Sequence, residues 1–266
     1  MKKIIIAGCV GAGCVFSGQA DLIHRYVFSN NVNDVVGSAN GTASAAGTVL
    51  GAPTYVTAAP TGAVSGAPTK SLVVTDGNSD KKSIFSLPLA AGNVPKGTLS
   101  FWFKPEGLPA DNIDRILSAR GGVVGLSLLP TTVGTVSSFI QTNSSVMTLS
   151  GATTDWHFYS ATWDDPAGTA TVYIDGGVHN YSFTANTFDL GTIIFGTFST
   201  ADTTANQANQ WSGSYWDVQI YDTALSSTDI NTLKSNPGSV IPEPATIGML
   251  MLGAGITMGL RHKLHF

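Results

Sequence analysis

The sequence predicts an all-β fold of two antiparallel sheets packed face to face. Three observations carry this. About a dozen short runs rich in Val, Ile, Phe, Tyr and Thr recur between residues 24 and 221. Gly, Asn, Asp and Pro separate them where turns need those residues. Charged residues are only 11% of the chain, so long solvated helices have little to work with.

The elements follow in order. His24–Phe28 reads as an opening strand, and residues 29–70 as a long loop holding one short strand at Thr54–Thr57. Ser71–Thr75 and Ser83–Leu87 flank the turn signal Asp76-Gly77-Asn78. In Gly97–Lys104, Leu99, Phe101 and Phe103 share one face and belong in the core; Ser100, Trp102 and Lys104 share the other. Arg115–Ala119 and Val123–Leu129 are split by Gly121-Gly122, and Val136–Gln141 and Val146–Leu149 follow. Trp156–Trp163 and Ala170–Asp175 make a hairpin around Asp164-Asp165-Pro166-Ala167-Gly168, which places Trp156 and Trp163 in the core. Val178–Phe183, the apolar and therefore central Thr192–Gly196, and Ser214–Tyr221 complete the set. Ser226 with Asp229 starts a short helix that runs to about Ser235.

The ends read as addresses. Lys2-Lys3, the apolar Ile4–Phe16 and Gly18-Gln19-Ala20 form a signal peptide over 1–20, cut after Ala20. Both cysteines, Cys9 and Cys14, fall inside it, so the exported body has neither disulfides nor thiol chemistry. The body occupies 21–236, and 237–244 is a linker ending in Pro242-Glu243-Pro244. The uncharged stretch 245–260 would form a helix about 24 Å long, enough to span a locally thinned bilayer. Arg261 and Lys263, in the basic tail 261–266, would stay cytoplasmic. Between 21 and 240 there are nine Lys/Arg and sixteen Asp/Glu, a net charge of −7, and no basic patch, which argues against nucleic acid as a partner.

The tripeptide, apolar span and basic tail together resemble a PEP-CTERM sorting signal. The resemblance implies a membrane-anchored precursor exported through the inner membrane of a Gram-negative-type bacterium. It also implies processing by an exosortase and a final place at the cell surface or in an exopolysaccharide matrix such as a biofilm. The body resembles LamG-like, concanavalin A-like jelly-roll domains in four blocks: Thr98-Leu99-Ser100-Phe101-Trp102-Phe103-Lys104-Pro105, Trp156-His157 through Trp163-Asp164, Val172-Tyr173-Ile174-Asp175-Gly176, and Gly213–Tyr221 with Ala224-Leu225-Ser226 and Ile230. In relatives, acids near the opening and last strands help to hold calcium. Here the usual acidic pair before Val218 is Trp216-Asp217, which leaves Asp217 as the candidate ligand.

Catalytic signals are sparse. Glycoside hydrolysis needs two carboxylates about 5–9 Å apart. The single glutamate of the body, Glu106, sits at a strand end, and Asp164-Asp165 lie at a turn. His24, His157 and His179 lack ligand spacing, and no nucleophile elbow or nucleotide loop occurs. The remaining lead is aromatic. Trp211 with Asn209 and Gln210 has the composition of a sugar site, although packing at the sandwich edge accounts for Trp211 better. The expectation is a non-catalytic exported protein that binds polysaccharide or a surface protein, or builds matrix. The alternative is an aspartate-based glycan-cleaving enzyme.

Overall fold

The computed structural model describes residues 20–46, 53–77, 81–88, 94–106, 115–119, 124–132, 134–140, 143–197 and 211–242. Residues 1–19 of the signal segment, the span 245–260 and the basic tail therefore lie outside the described residues. Among the described residues no helix is long and apolar enough to cross a membrane.

In chain order the strands are β1 (Leu22–Tyr26), β2 (Thr42–Ala46), β3 (Thr54–Thr57), β4 (Lys70–Val74), β5 (Asp76–Gly77), β6 (Lys81–Pro88), β7 (Lys96–Pro105) and β8 (Leu117–Ala119). Then come β9 (Leu126–Thr132), β10 (Thr135–Ile140), β11 (Asn143–Thr148), β12 (His157–Asp164), β13 (Thr169–Ile174), β14 (Gly177–Ser182), β15 (Thr192–Phe195) and β16 (Gly213–Tyr221). The helix α1 (Ser227–Ser235) follows. One sheet runs β14-β13-β12-β7-β16-β4-β3, with β1 also on β16. The other runs β11-β10-β9-β8-β15-β6-β2, with β5 on β6. The two sheets press together as an all-β, jelly-roll-like sandwich.

The predicted alternation is borne out in β7: Leu99, Phe101 and Phe103 are fully buried. Phe101 meets Phe195 of the opposite sheet edge-on at 5.2 Å, and Phe195 stacks on Phe85 at 5.2 Å, so one aromatic seam joins the layers. β15, expected to be central, lies between β8 and β6. β2 was not anticipated. Its sequence, Thr-Ala-Ser-Ala-Ala, carries no apolar alternation, and only pairing with β6 makes it a strand.

The outer face of the first sheet carries a second, smaller core. Phe158, Tyr221, Leu225, Ile230 and Leu233 are buried there under α1, with Trp102, Tyr173, Leu22, Ala20 and Ile241 packed at its margin. The predicted capping box starts the helix: Ser226 accepts from the Asp229 amide while the Asp229 carboxylate accepts from the Ser226 backbone. At its other end the chain does not leave at once. The carbonyl of Gly238 accepts from Arg25, that of Ser239 accepts from Gln219, and the amide of Ile241 donates to the Tyr221 hydroxyl at 3.1 Å. Residues 238–241 of the segment read as a linker thus lie docked on β1 and β16.

Candidate functional site

The floor of the site is β7. Its outward row, Trp102 and Lys104, is set by the same two-residue period that buries Phe101 and Phe103. β12 runs antiparallel beside it, with Phe158 opposite Trp102, and the Trp102 ring packs on Phe158 at 5.3 Å. Trp156 immediately precedes β12. It is half-buried, not in the core as its sequence position suggested, because the inward-facing places of β12 start at His157. Residues 58–61, continuing from β3, form the opposite wall. Trp102, Lys104, Asp155 and Trp156 on one side and Ala58, Ala59, Pro60 and Thr61 on the other enclose an open groove of about 580 Å³.

The turn that presents Asp155 and Trp156 is fastened from below. The Asp175 carboxylate accepts from the Ser150 amide (2.9 Å), the Phe158 amide (2.8 Å) and His157 Nδ1 (2.7 Å). His157 is fully buried, and its Nε2 has no partner. Asp175 holds a left-handed φ of 52°, which Asp tolerates better than most residues. Within the turn, the Asp155 amide donates to Ala152 O, and Asp155 Oδ2 accepts from the Ala152 amide at 3.2 Å. The groove therefore has a rigid floor, a pinned rim and two indoles.

The sequence-derived candidates fall elsewhere. Trp211 is 2% exposed and packs against Tyr215 (5.0 Å) and Phe103 (6.3 Å), so its ring faces are closed to a sugar. Asn209 and Gln210 lie outside the described residues. Glu106 is an exposed strand end whose amide donates to Ser212 O. Asp164 pairs with Lys96 at 2.9 Å, and Lys96 holds its carboxyl below the usual range. Asp165 is buried and accepts from the Thr187 and Phe188 amides, the turn role expected of it. Ala20 and Pro242 sit at the two ends of the described body; Glu243, Pro244, Arg261 and Lys263 lie outside it.

The calcium candidate is engaged otherwise. Asp217 is buried, accepts from Arg25 Nε (2.7 Å) and Nη2 (3.1 Å), and accepts again from Gln219 Nε2 (2.7 Å). Burial pushes its carboxyl above the usual range, and Arg25 and Gln219 offset this only in part. Asp34, the acid following the opening strand, is held by His24 Nδ1 at 2.6 Å and by four backbone amides. Calcium takes six to eight oxygens, and these two acids have already spent theirs on a guanidinium, an imidazole and amides; the residues present do not fit the ion. Among the described residues no group of three or more His, Cys, Asp or Glu could hold a metal.

Residues 75–231, over half the chain, match the Laminin_G_3 family, described as the concanavalin A-like lectin/glucanases superfamily. The chain belongs to this superfamily. A comparison with curated proteins finds none that matches. Among solved structures, this superfamily member is similar to botulinum neurotoxin binding domains. One similar structure is of botulinum neurotoxin type C, whose cell entry is dependent upon interaction with two ganglioside molecules (15% identity, TM-score 0.55, covering 81% of this chain and 50% of that one). Another is the DC binding domain in complex with rat synaptotagmin II (14%, TM-score 0.55, 79% and 50%). The chain thus spans about half the length of these neurotoxin chains. It is also similar to domain 4 of AbnA, a GH43 extracellular arabinanase from Geobacillus stearothermophilus, solved with arabinotriose (19%, TM-score 0.56, 81% and 99%). At such identities the likeness is one of fold.

Trp102 and Lys104 were legible as an outward pair in the sequence. Their use was not, because the partners that turn an outward tryptophan into a groove wall come from residues 58–61 and 155–156.

Proposed function

We propose that this protein is a non-catalytic glycan-binding module that works at the cell surface or in an extracellular matrix. The observation that carries the reading is the pairing of Trp102 and Trp156 with Lys104 and Asp155 in one open groove on a rigid sheet. Indoles present flat apolar faces to sugar rings, polar neighbours orient the hydroxyls, and the groove volume is of ligand size. The arabinotriose held by the AbnA domain and the gangliosides named with the type C neurotoxin are ligands of the same chemistry on the same fold. Asp155 is the one carboxylate among the described residues of the groove, which favours binding over two-carboxylate hydrolysis.

Delivery belongs to the same proposal. The signal peptide is removed after Ala20. The Pro242-Glu243-Pro244 motif, the span 245–260 and Arg261/Lys263 hold a membrane precursor for an exosortase-like protease. Replacing the tripeptide by three alanines should leave uncut precursor in the membrane; unchanged processing on a gel would count against this part.

The binding part is tested on a glycan array with the full-length chain. Trp102→Ala and Trp156→Ala should each weaken retained glycans by roughly tenfold, an energy on the scale of lost aromatic contact. No reducing ends should be released. Binding indifferent to both variants, or hydrolysis lost in Asp164→Asn, would overturn the reading.

A further inference from the structure

We infer that the groove selects acidic glycans, with a uronic-acid carboxylate seated on Lys104; this rests on the glycan-binding reading above. The argument begins with the charges. Lys104 and Asp155 both line the groove, yet they form no ion pair with each other. Among the described residues, the other cations of the outer face are committed. Arg25 is bonded to Asp217 and Gly238 O, and Lys234 to Asp175 O. Lys96 is paired with Asp164, and Lys70 is bonded to Asn30. Lys104 is exposed and, among the described residues, has no side-chain hydrogen bond or salt bridge. The acid on the same wall, Asp155, keeps its charge but is tied to its own turn, where Oδ2 accepts from the Ala152 amide. Among the described residues the groove thus carries one anion and one cation, and the cation, Lys104, has no side-chain partner and stands on the same outward row as Trp102.

That spacing suits one ligand chemistry. A pyranose ring lying on an indole projects the substituent at its sixth carbon a few ångströms along the ring plane. Two residues along a strand, roughly 7 Å, separate Trp102 from Lys104. The lysine stem and the stacked ring then reach each other with a carboxylate between them. A neutral sugar would leave the ammonium to water, whereas a uronate would gain a charge-assisted hydrogen bond on top of the stacking. The body as a whole is acidic, so long-range attraction for a polyanion is absent and selection must come from this local contact.

The test uses the full-length chain and matched probes: oligomers of galacturonic, glucuronic and mannuronic acid, each as the free acid and as its methyl ester. The ester keeps ring, linkage and stacking face and removes the charge. At least one free acid should bind about three- to tenfold tighter than its ester at low salt, as expected of one partly exposed charge-assisted bond. Its advantage should shrink as salt rises to about 0.5 M. Lys104→Gln should erase the difference and Lys104→Arg should keep it; the site is exposed, so folding is not at stake. Esters or neutral oligosaccharides that bind as tightly as the acids, through Trp102 and Trp156, would sink the acidic preference and leave the glycan reading standing. If no acid, ester or neutral oligosaccharide binds, both fall.

Discussion

Arg25 and Asp217, 192 residues apart, meet in a two-pronged ion pair in which Nε donates at 2.7 Å and Nη2 at 3.1 Å. It joins the first strand to the last. The pair sits where β16 changes register between Trp216 and Gln219, and Asp217 takes a left-handed φ of 48°. Asn tolerates that φ, so Asp217→Asn isolates the charge. Leaving Arg25 without its anion should cost about 2–4 kcal/mol of stability, read from the midpoint of urea unfolding. A loss below about 0.5 kcal/mol would mean that the pair contributes no more than a surface bridge.

Tyr221 extends this network to the end of the body. Its hydroxyl donates to Gln219 Oε1 at 2.6 Å and accepts from the Ile241 amide at 3.1 Å. Tyr221→Phe should cost about 1–2 kcal/mol and speed hydrogen exchange at Ile241. Exchange at Ile241 as slow as in the parent would show that the segment is held by packing alone.

Asp34 should govern the acid limb of stability. Burial pushes its carboxyl up, but the amides of Arg25, Gly37 and Val36 and the His24 ring outweigh it and hold the group below its ordinary value. A depressed folded value contributes stability that is present above the unfolded value, near 4, and is lost as pH falls through the folded one. Thermal unfolding from pH 6 to pH 2 should therefore show a steeper drop for the parent than for Asp34→Asn, which starts lower at neutral pH. Parallel curves would remove Asp34 from the acid response.

Asp175 holds the groove's rim without touching its space. Asp175→Asn keeps the left-handed backbone but weakens three accepted hydrogen bonds. Amide exchange at Ser150 and Phe158 should rise by about tenfold, and glycan affinity should fall although Trp102 is untouched. Faster exchange with unchanged affinity would show that Trp156 holds its place without this support.

Much of the fold was legible because strand periodicity is local. The pattern in β7 needs only neighbours two residues apart, and Leu99, Phe101 and Phe103 are buried as it demands. Thr54–Thr57 is a strand with the predicted bounds, and the Ser226–Asp229 cap was visible as a spacing of three. Trp156 shows the limit. It belongs to an aromatic run that reads as core, and only the register of β12 on β7 leaves it at the rim. Trp211 shows the converse: flanked by polar residues in the chain, it is closed in by Phe103 and Tyr215.

By itself the sequence determined the class of fold, the inward faces of its strands, the helix cap and the absence of cysteine from the body, since each depends on residue type and short spacing. The tertiary structure alone decided that Asp217 meets Arg25 and that residues 58–61 come to face Trp102, Lys104, Asp155 and Trp156. Such meetings are set by strand order and register, which bring together segments tens to hundreds of residues apart, and no local pattern encodes which of them will touch.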